Sequence, residues 1–338
     1  MKSHYNIWIA ESYSCQNDII QLLKRSNLSA HLTIFCSHSK QRPELKLCAD
    51  YFFQQPPVEH SADWLLDQCK KHAIQLLFCG KHSQFIEKLR EEFARHDIQL
   101  VTGATGIAQH ENMNNKFLFG EICEALNLPN IPAAKVDHVV GLKQAIDDYQ
   151  KKYSHICAKP VYGVYGSGFV QLRNEVSYFK QFQLNTQCNT QQFIEAYAQL
   201  DQPIEYLIMP FLTGQECSVD IACSHGQILA LVTRVKFKFY QQCYIEHPCH
   251  EICKILVQHF QCDGLINIQF KQDDLGVWHI LEINPRPAGG FAYTQHTGIN
   301  LIAELMAEKL QLTLQHTDFV PVVQVLPITQ SFKMDCTH

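Results

Sequence analysis

Residues 276–291, GVWHILEINPRPAGGF, narrow what this chain can be more than any other stretch. The run predicts a strand, and side chains on a strand point to alternate faces with period two. Val277, His279, Leu281 and Ile283 then share one face, and Trp278, Ile280, Glu282 and Asn284 the other. An extended exit adds Arg286 to the second row. A carboxylate, an amide oxygen and a guanidinium in line are poor core material. They suit a divalent cation and the phosphate it neutralises. Pro285 and Pro287 stiffen the exit, and Gly289 and Gly290 leave backbone N–H groups bare beside the row.

A partner strand precedes it. Gly264, Ile266, Ile268 and Phe270 fall on one side of the run 264–270, and Leu265, Asn267 and Gln269 on the other. The polar turn from Lys271 to Gly276 predicts an antiparallel hairpin, with Gln269 beside Glu282 and Asn284. The plainer alternative is a half-exposed hairpin with one solvated face. The set Gln269, Glu282-Ile-Asn284-Pro-Arg286 resembles the metal- and phosphate-binding end of ATP-grasp enzymes, particularly the carbamoyl-phosphate-synthase-like branch of carboxylate–amine ligases. The resemblance implies that Gln269, Glu282 and Asn284 hold Mg²⁺ (or Mn²⁺), and that Arg286 is catalytic, stabilising the transferring group.

Bulk properties fit a soluble globular protein. A chain of 338 residues is long enough for two or three lobes with real cores. At 46% hydrophobic and 18% charged residues the composition is that of a globular protein, not a disordered one. A net charge of -5 gives no electrostatic case for nucleic acid as a partner. No apolar run approaches a membrane span, and the N-terminal stretch is too short for a signal peptide, so a cytoplasmic location is expected. Fifteen cysteines, an odd number scattered through the chain, read as reduced thiols. The densest group, His247, Cys249, His250 and Cys253, fits an amphipathic helix and lacks the second ligand pair of a zinc site.

The first hundred residues alternate strand-like and helix-like runs. Strands are expected at 6–10, 31–36, 74–79 and 98–101, and helices at 17–24, 62–73 and 82–95, which together predict a parallel sheet. No G-x-G-x-x-G follows the first strand. The unit resembles a Rossmann-like pre-ATP-grasp domain, so the expected fold is α/β, becoming α+β in the nucleotide lobes. The expected divisions are the pre-ATP-grasp domain at 1–104, connector helices at 105–153, a lid subdomain at 154–212 and a large subdomain at 213–338.

Asn115-Lys116 opens a helix, resembling the Asp-Lys opening of the family with Asn in place of Asp. Lys159 ends a strand and leads into a loop carrying Gly163, Gly166, Ser167 and Gly168. Glycines let backbone amides close on phosphate and the lysine adds a point charge, although a glycine hairpin turn explains the loop about as well. The resemblance places Lys116, Lys159, Gly166, Ser167 and Gly168 around the nucleotide phosphates. It places Met209, Pro210, Phe211 and Leu212 around the adenine, and Glu216 on the ribose.

Arg234, Lys236 and Lys238 share a strand face, a repulsive row unless acids or anions compensate; a solvated face is the default. Arg234 is the loose match to a family catalytic arginine, and Lys236 would line the phosphate site. The implied reaction joins a small-molecule carboxylate to an amine through an acyl phosphate, with release of ADP and phosphate. The missing carboxylase-style extension favours an amino-acid or peptide ligase. The rivals are a nucleotide-binding regulator and a small-molecule kinase. Family members are often dimers, so a homodimer is a further expectation.

Overall fold

The computed structural model describes residues 4–163, 166–181, 186–329 and 331. The chain divides into two compact units. The first is Met1–His110, Cys217–Gln269 and Ile283–His338, and the second is Glu111–Glu216 and Phe270–Glu282.

The first unit opens with β1 (Tyr5–Ile9), α1 (Gln16–Arg25), β2 (Leu32–His38), α2 (Pro43–Cys48), β3 (Tyr51–Gln54), α3 (Val58–Lys71), β4 (Leu76–Phe78), α4 (Ser83–Glu87), α5 (Arg90–Arg95) and β5 (Gln99–Val101). The five strands are parallel, in the order β3-β2-β1-β4-β5. Ile7, Trp8 and Ile9 are all fully buried, as a sheet covered by helices on both faces requires. Trp8 stacks on Phe35 and Phe53 on one face, while Ile7 and Ile9 join the core on the other. Helix α2 and edge strand β3 are additions to the expected alternation. The single helix expected over 82–95 is two helices. The break coincides with Glu87 turning inward to accept hydrogen bonds from Arg90, Thr102 and the Gly106 amide. After β5 come β6 (Gly103–Ala104) and α6 (Ile107–Asn114).

The second unit contains α7 (Lys116–Ala125), β7 (Ala134–Val136), α8 (Val139–Lys152), β8 (Ile156–Pro160), β9 (Val170–Arg173), α9 (Tyr178–Gln181), β10 (Gln187–Asn189), α10 (Thr190–Tyr197) and β11 (Tyr206–Pro210). Its sheet runs β10-β9-β8-β11-β7, with β8 antiparallel to β9 and β11. Leu142 and Ile146 of α8 and Ile194 of α10 pack on Ile156, Ala158 and Ile208 of the sheet.

The chain continues through β12 (Glu216–Ser224), β13 (Gln227–Lys236), β14 (Gln241–Tyr244), α11 (His250–His259), β15 (Cys262–Gln272), β16 (Trp278–Asn284), α12 (Leu301–Leu310) and β17 (Val322–Val325). These strands form one sheet ordered β16-β15-β12-β13-β14-β17, with β6 pairing onto β15. Within the first unit one apolar cluster takes in Ile7 and Ile9 of β1, Ile19 of α1, Leu265 of β15, Met306 of α12, and Phe291 from the segment between β16 and α12. Gly103, at φ +95°, lies against Pro285: a Cβ there would sit 2.1 Å from the Pro285 carbonyl oxygen. Only glycine fits that close approach, which fixes the backbone just before Arg286. Every cysteine among the described residues is a free thiol. No helix among them is long and apolar enough to cross a membrane.

Candidate functional site

In the second unit Lys159 sits on β8 opposite Leu207 of β11. Its Nζ lies 2.7 Å from Glu282 Oε2, and both side chains are 15% exposed. Lys159 also lines a cavity of about 240 Å³ with Lys116, Asn130, Ile131, Met209 and Leu281. Ile131, Cys157 and Met209 form an apolar cluster with Phe211, Leu212 and Leu281. The pocket thus has an apolar wall and a charged margin in which Lys116 and Lys159 meet Glu121 and Glu124, the usual make-up of a small-molecule site.

Lys116 stands in the first turn of α7 because Asn115 caps that helix. The Asn115 side-chain oxygen accepts from the Phe117 and Leu118 amides, each at 3.2 Å. Asn is as good a cap as Asp. Lys116 Nζ donates to the Gly163 carbonyl at 2.8 Å, which ties the helix start to the glycine-rich loop. In that loop Gly166 and Gly168 have φ of 68° and 75°; Ser167 lies between them. Val164 and Tyr165 lie outside the described residues.

Met209 and Pro210 belong to β11, pairing with Cys157 and Ile156. The Phe211 amide donates to the His155 carbonyl at 2.9 Å. Glu216 faces Lys271 at 3.7 Å, and Lys271 also lies over the Phe211 ring. The sequence reading did not single out Lys271.

The first unit holds the other expected residues. Arg234 Nε donates to Asp220 Oδ2 at 2.5 Å and its Nη1 to Gln241 Oε1 at 2.6 Å. Asp220 Oδ1 accepts from Asn267 Nδ2 at 3.0 Å, and Asn267 Oδ1 accepts from Gln269 Nε2 at 3.4 Å. Burial by itself would lower the Arg234 pKa, but the charge and hydrogen bond of Asp220 raise it above the ordinary value. Gly290 makes room for this: a Cβ there would lie 2.8 Å from Arg234 Nη1. The solvated face expected of the Arg234 row is corrected by this geometry. Arg234 is 2% exposed, compensated by an acid on the neighbouring strand. Lys238 lies beyond the end of β13, exposed, so the row shortens to Arg234 and Lys236.

Asn284 Oδ1 accepts from Arg286 Nη2 at 3.1 Å, and the Asn284 carbonyl accepts from the Arg286 amide at 2.7 Å. The buried Arg286 guanidinium lies over the Tyr13 ring, 4.6 Å from its centroid. β15 is buried from Cys262 to Ile268, which replaces the alternative of a hairpin with one solvated face. The second unit therefore brings together Lys116, Lys159, Met209 and Glu282; in the first, Arg234 is linked through Asp220 and Asn267 to Gln269, and Asn284 is bonded to Arg286. Asp220, Asn267, Gln241 and Tyr13 were missed. Asp220 and Asn267 carried a signal, since each shares strand parity with a residue that was picked.

Comparison with known proteins bears on the fold. Residues 202–332 match the family described as ATP-grasp in the biosynthetic pathway with Ter operon. Comparison with curated protein sequences finds no match. Among solved structures, the ADP complex of N5-carboxyaminoimidazole ribonucleotide synthetase aligns over 94% of this chain and 80% of its own, with a TM-score of 0.68 and 14% identity. The biotin carboxylase domain dimer of Hydrogenobacter thermophilus 2-oxoglutarate carboxylase, in complex with MgADP, ADP and bicarbonate, aligns over 94% of this chain and 72% of its own, with a TM-score of 0.66 and 14% identity. An L-amino acid ligase from Bacillus licheniformis covers 93% of this chain and 76% of its own, with a TM-score of 0.60 and 14% identity. The chain thus shares the fold of these solved structures, and its residues 202–332 match an ATP-grasp family.

Proposed function

We propose that this protein is an ATP-dependent ligase that activates a small-molecule carboxylate as an acyl phosphate and joins it to an amine. The observation that carries this reading is the Lys159–Glu282 ion pair beside the apolar cavity of the second unit. A lysine and a carboxylate in contact, each still partly exposed, are a pair of groups ready to take a phosphate and its cation. The oxygen donors of Glu282, Gln269 and Asn284 suit a hard cation such as Mg²⁺. When bound, Mg·ATP supplies the phosphoryl group and the charge that offsets its oxygens.

The chain's own residues have distinct parts in this reading. Lys116, Lys159 and the Gly166–Gly168 amides hold phosphate oxygens. Ile131, Met209 and Leu281 cover the base, with backbone of 209–212 at its edge, and Glu216 takes the ribose. Arg286, its guanidinium oriented by Asn284 and Tyr13, meets the charge that develops on the transferring group. Arg234, held by Asp220 and Gln241, positions the turn at Gly290, and Lys236 offers a further charge for phosphate. The amine attacks the activated carbonyl, phosphate departs, and an amide-type bond forms. Likeness to an L-amino acid ligase supports an amino-acid substrate class.

The test is ADP release with Mg·ATP across a panel of amino acids and small carboxylates, each with and without a second amine. The expected result is one pair that gives ADP and a product lighter than the summed reactants by one water. A phosphorylated product that persists with the amine present would make the protein a kinase. Tight ATP binding with no turnover on any pair would make it a nucleotide-binding regulator.

A further inference from the structure

Three potential ligands of a different kind meet in the first unit. Cys217 is the second residue of β12, on the face opposite Ser218 and Asp220. His247 and Cys249 lie in the turn between β14 and α11, with Cys249 as the N-cap of that helix. One ligand atom from each of the three lies within 4.8 Å of the others. Both thiols are fully buried and His247 is partly exposed. The sulfurs are 4.0 Å apart. Two thiolates on one tetrahedral zinc, each at about 2.3 Å, stand about 3.8 Å from each other. A disulfide would need about 2.05 Å.

We infer that Cys217, His247 and Cys249 bind a Zn²⁺ ion, with a water completing the tetrahedron. The donor set is soft, two sulfurs and an imidazole, and prefers zinc to magnesium. The other members of the sequence cluster are engaged elsewhere: His250 Nε2 bonds Thr233 Oγ1 at 2.8 Å, and Cys253 is a fully buried thiol whose pKa burial raises. The missing second part of the ligand set comes from Cys217, thirty positions upstream of His247. The chain passes from the second unit to the first between Glu216 and Cys217. Zinc would fasten the first residue after that crossing to the turn ahead of α11. This site is independent of the ligase reading.

The test uses the full chain purified under reducing conditions without chelator, loaded with Zn²⁺ and dialysed. Elemental analysis should find about one zinc per chain, falling to background in Cys217→Ser and Cys249→Ser. Cobalt substitution should give the visible bands of tetrahedral sulfur ligation, lost in the same variants. Should a cysteine variant fail to fold, His247→Gln, which alters a partly exposed side chain, should still fold and bind Zn²⁺ about tenfold more weakly or worse in competition with a chromophoric chelator. Absence of stoichiometric zinc in the wild type, or unchanged affinity in His247→Gln, would overturn the assignment. So would a Cys217–Cys249 disulfide found by mass after zinc loading.

Discussion

The two central ion pairs of this molecule are built in opposite ways. In the first unit Arg234 and Asp220 are almost wholly buried, with side chains 3% and 2% exposed, and Gln241 and Asn267 add a hydrogen bond to the guanidinium and to the carboxylate. In the second unit Lys159 and Glu282 keep 15% of their surface and sit at a cavity. Buried ions are costly to desolvate and are retained only when geometry and extra hydrogen bonds compensate. The first pair meets that condition within the protein. The second is only partly desolvated, so a ligand that offers better partners can separate it. On the proposed function, one pair is scaffold and the other is a site.

Arg234→Met should give the largest effect, since it strands the Asp220 carboxylate in the core. The expected loss is about 3–5 kcal/mol of unfolding free energy, read by chemical denaturation. A loss below about 1 kcal/mol would erase the contrast. Glu282→Ala should leave stability within about 1 kcal/mol of wild type while reducing ADP release about a hundredfold or more. Wild-type turnover in that variant would remove Glu282 from the chemistry. Lys159→Met should weaken nucleotide binding by about tenfold to a hundredfold, the worth of a charged hydrogen bond, measured by titration calorimetry.

A third pair joins a buried Glu11 to a partly exposed Lys81. Burial by itself would raise the Glu11 pKa, but hydrogen bonds from Lys81 and Ser39 bring it to about 2. A carboxylate with a depressed folded-state pKa stabilises the fold above its ordinary value, near 4.5, and that contribution is lost as pH falls toward 2. Urea unfolding of wild type and Glu11→Gln should therefore differ most above pH 4.5 and converge as the pH drops. A difference that grows with acid would reverse the sign of the argument.

Much of this was legible in the sequence because strand parity is local. Glu282 and Asn284 share a face in any register, and Asn115 caps a helix whatever packs on it. The parallel sheet followed from alternation. The partners of these residues were not legible. Arg234 meets Asp220 only because β12 and β13 pair with Ser218 opposite Arg234, and register between strands is not written in either strand. The same holds for Lys271 against Glu216, and for Cys217 against a turn thirty residues away. The break at Glu87 was hidden for a related reason: the carboxylate turns toward Thr102 and Gly106, which follow it by more than a dozen positions.

The Lys159–Glu282 contact also has a thermodynamic consequence. A free cation that takes Glu282 abandons the lysine, and a metal-free nucleotide that takes Lys159 abandons the carboxylate. Each arriving by itself must meet the whole cost of breaking the pair. Arriving together, they break it once. On the proposed roles, metal and nucleotide must therefore raise one another's affinity by the same factor, because linkage between two ligands is reciprocal. The resting protein is in this sense a coincidence detector, set by a single 2.7 Å contact to respond to the complex and to discriminate against its parts.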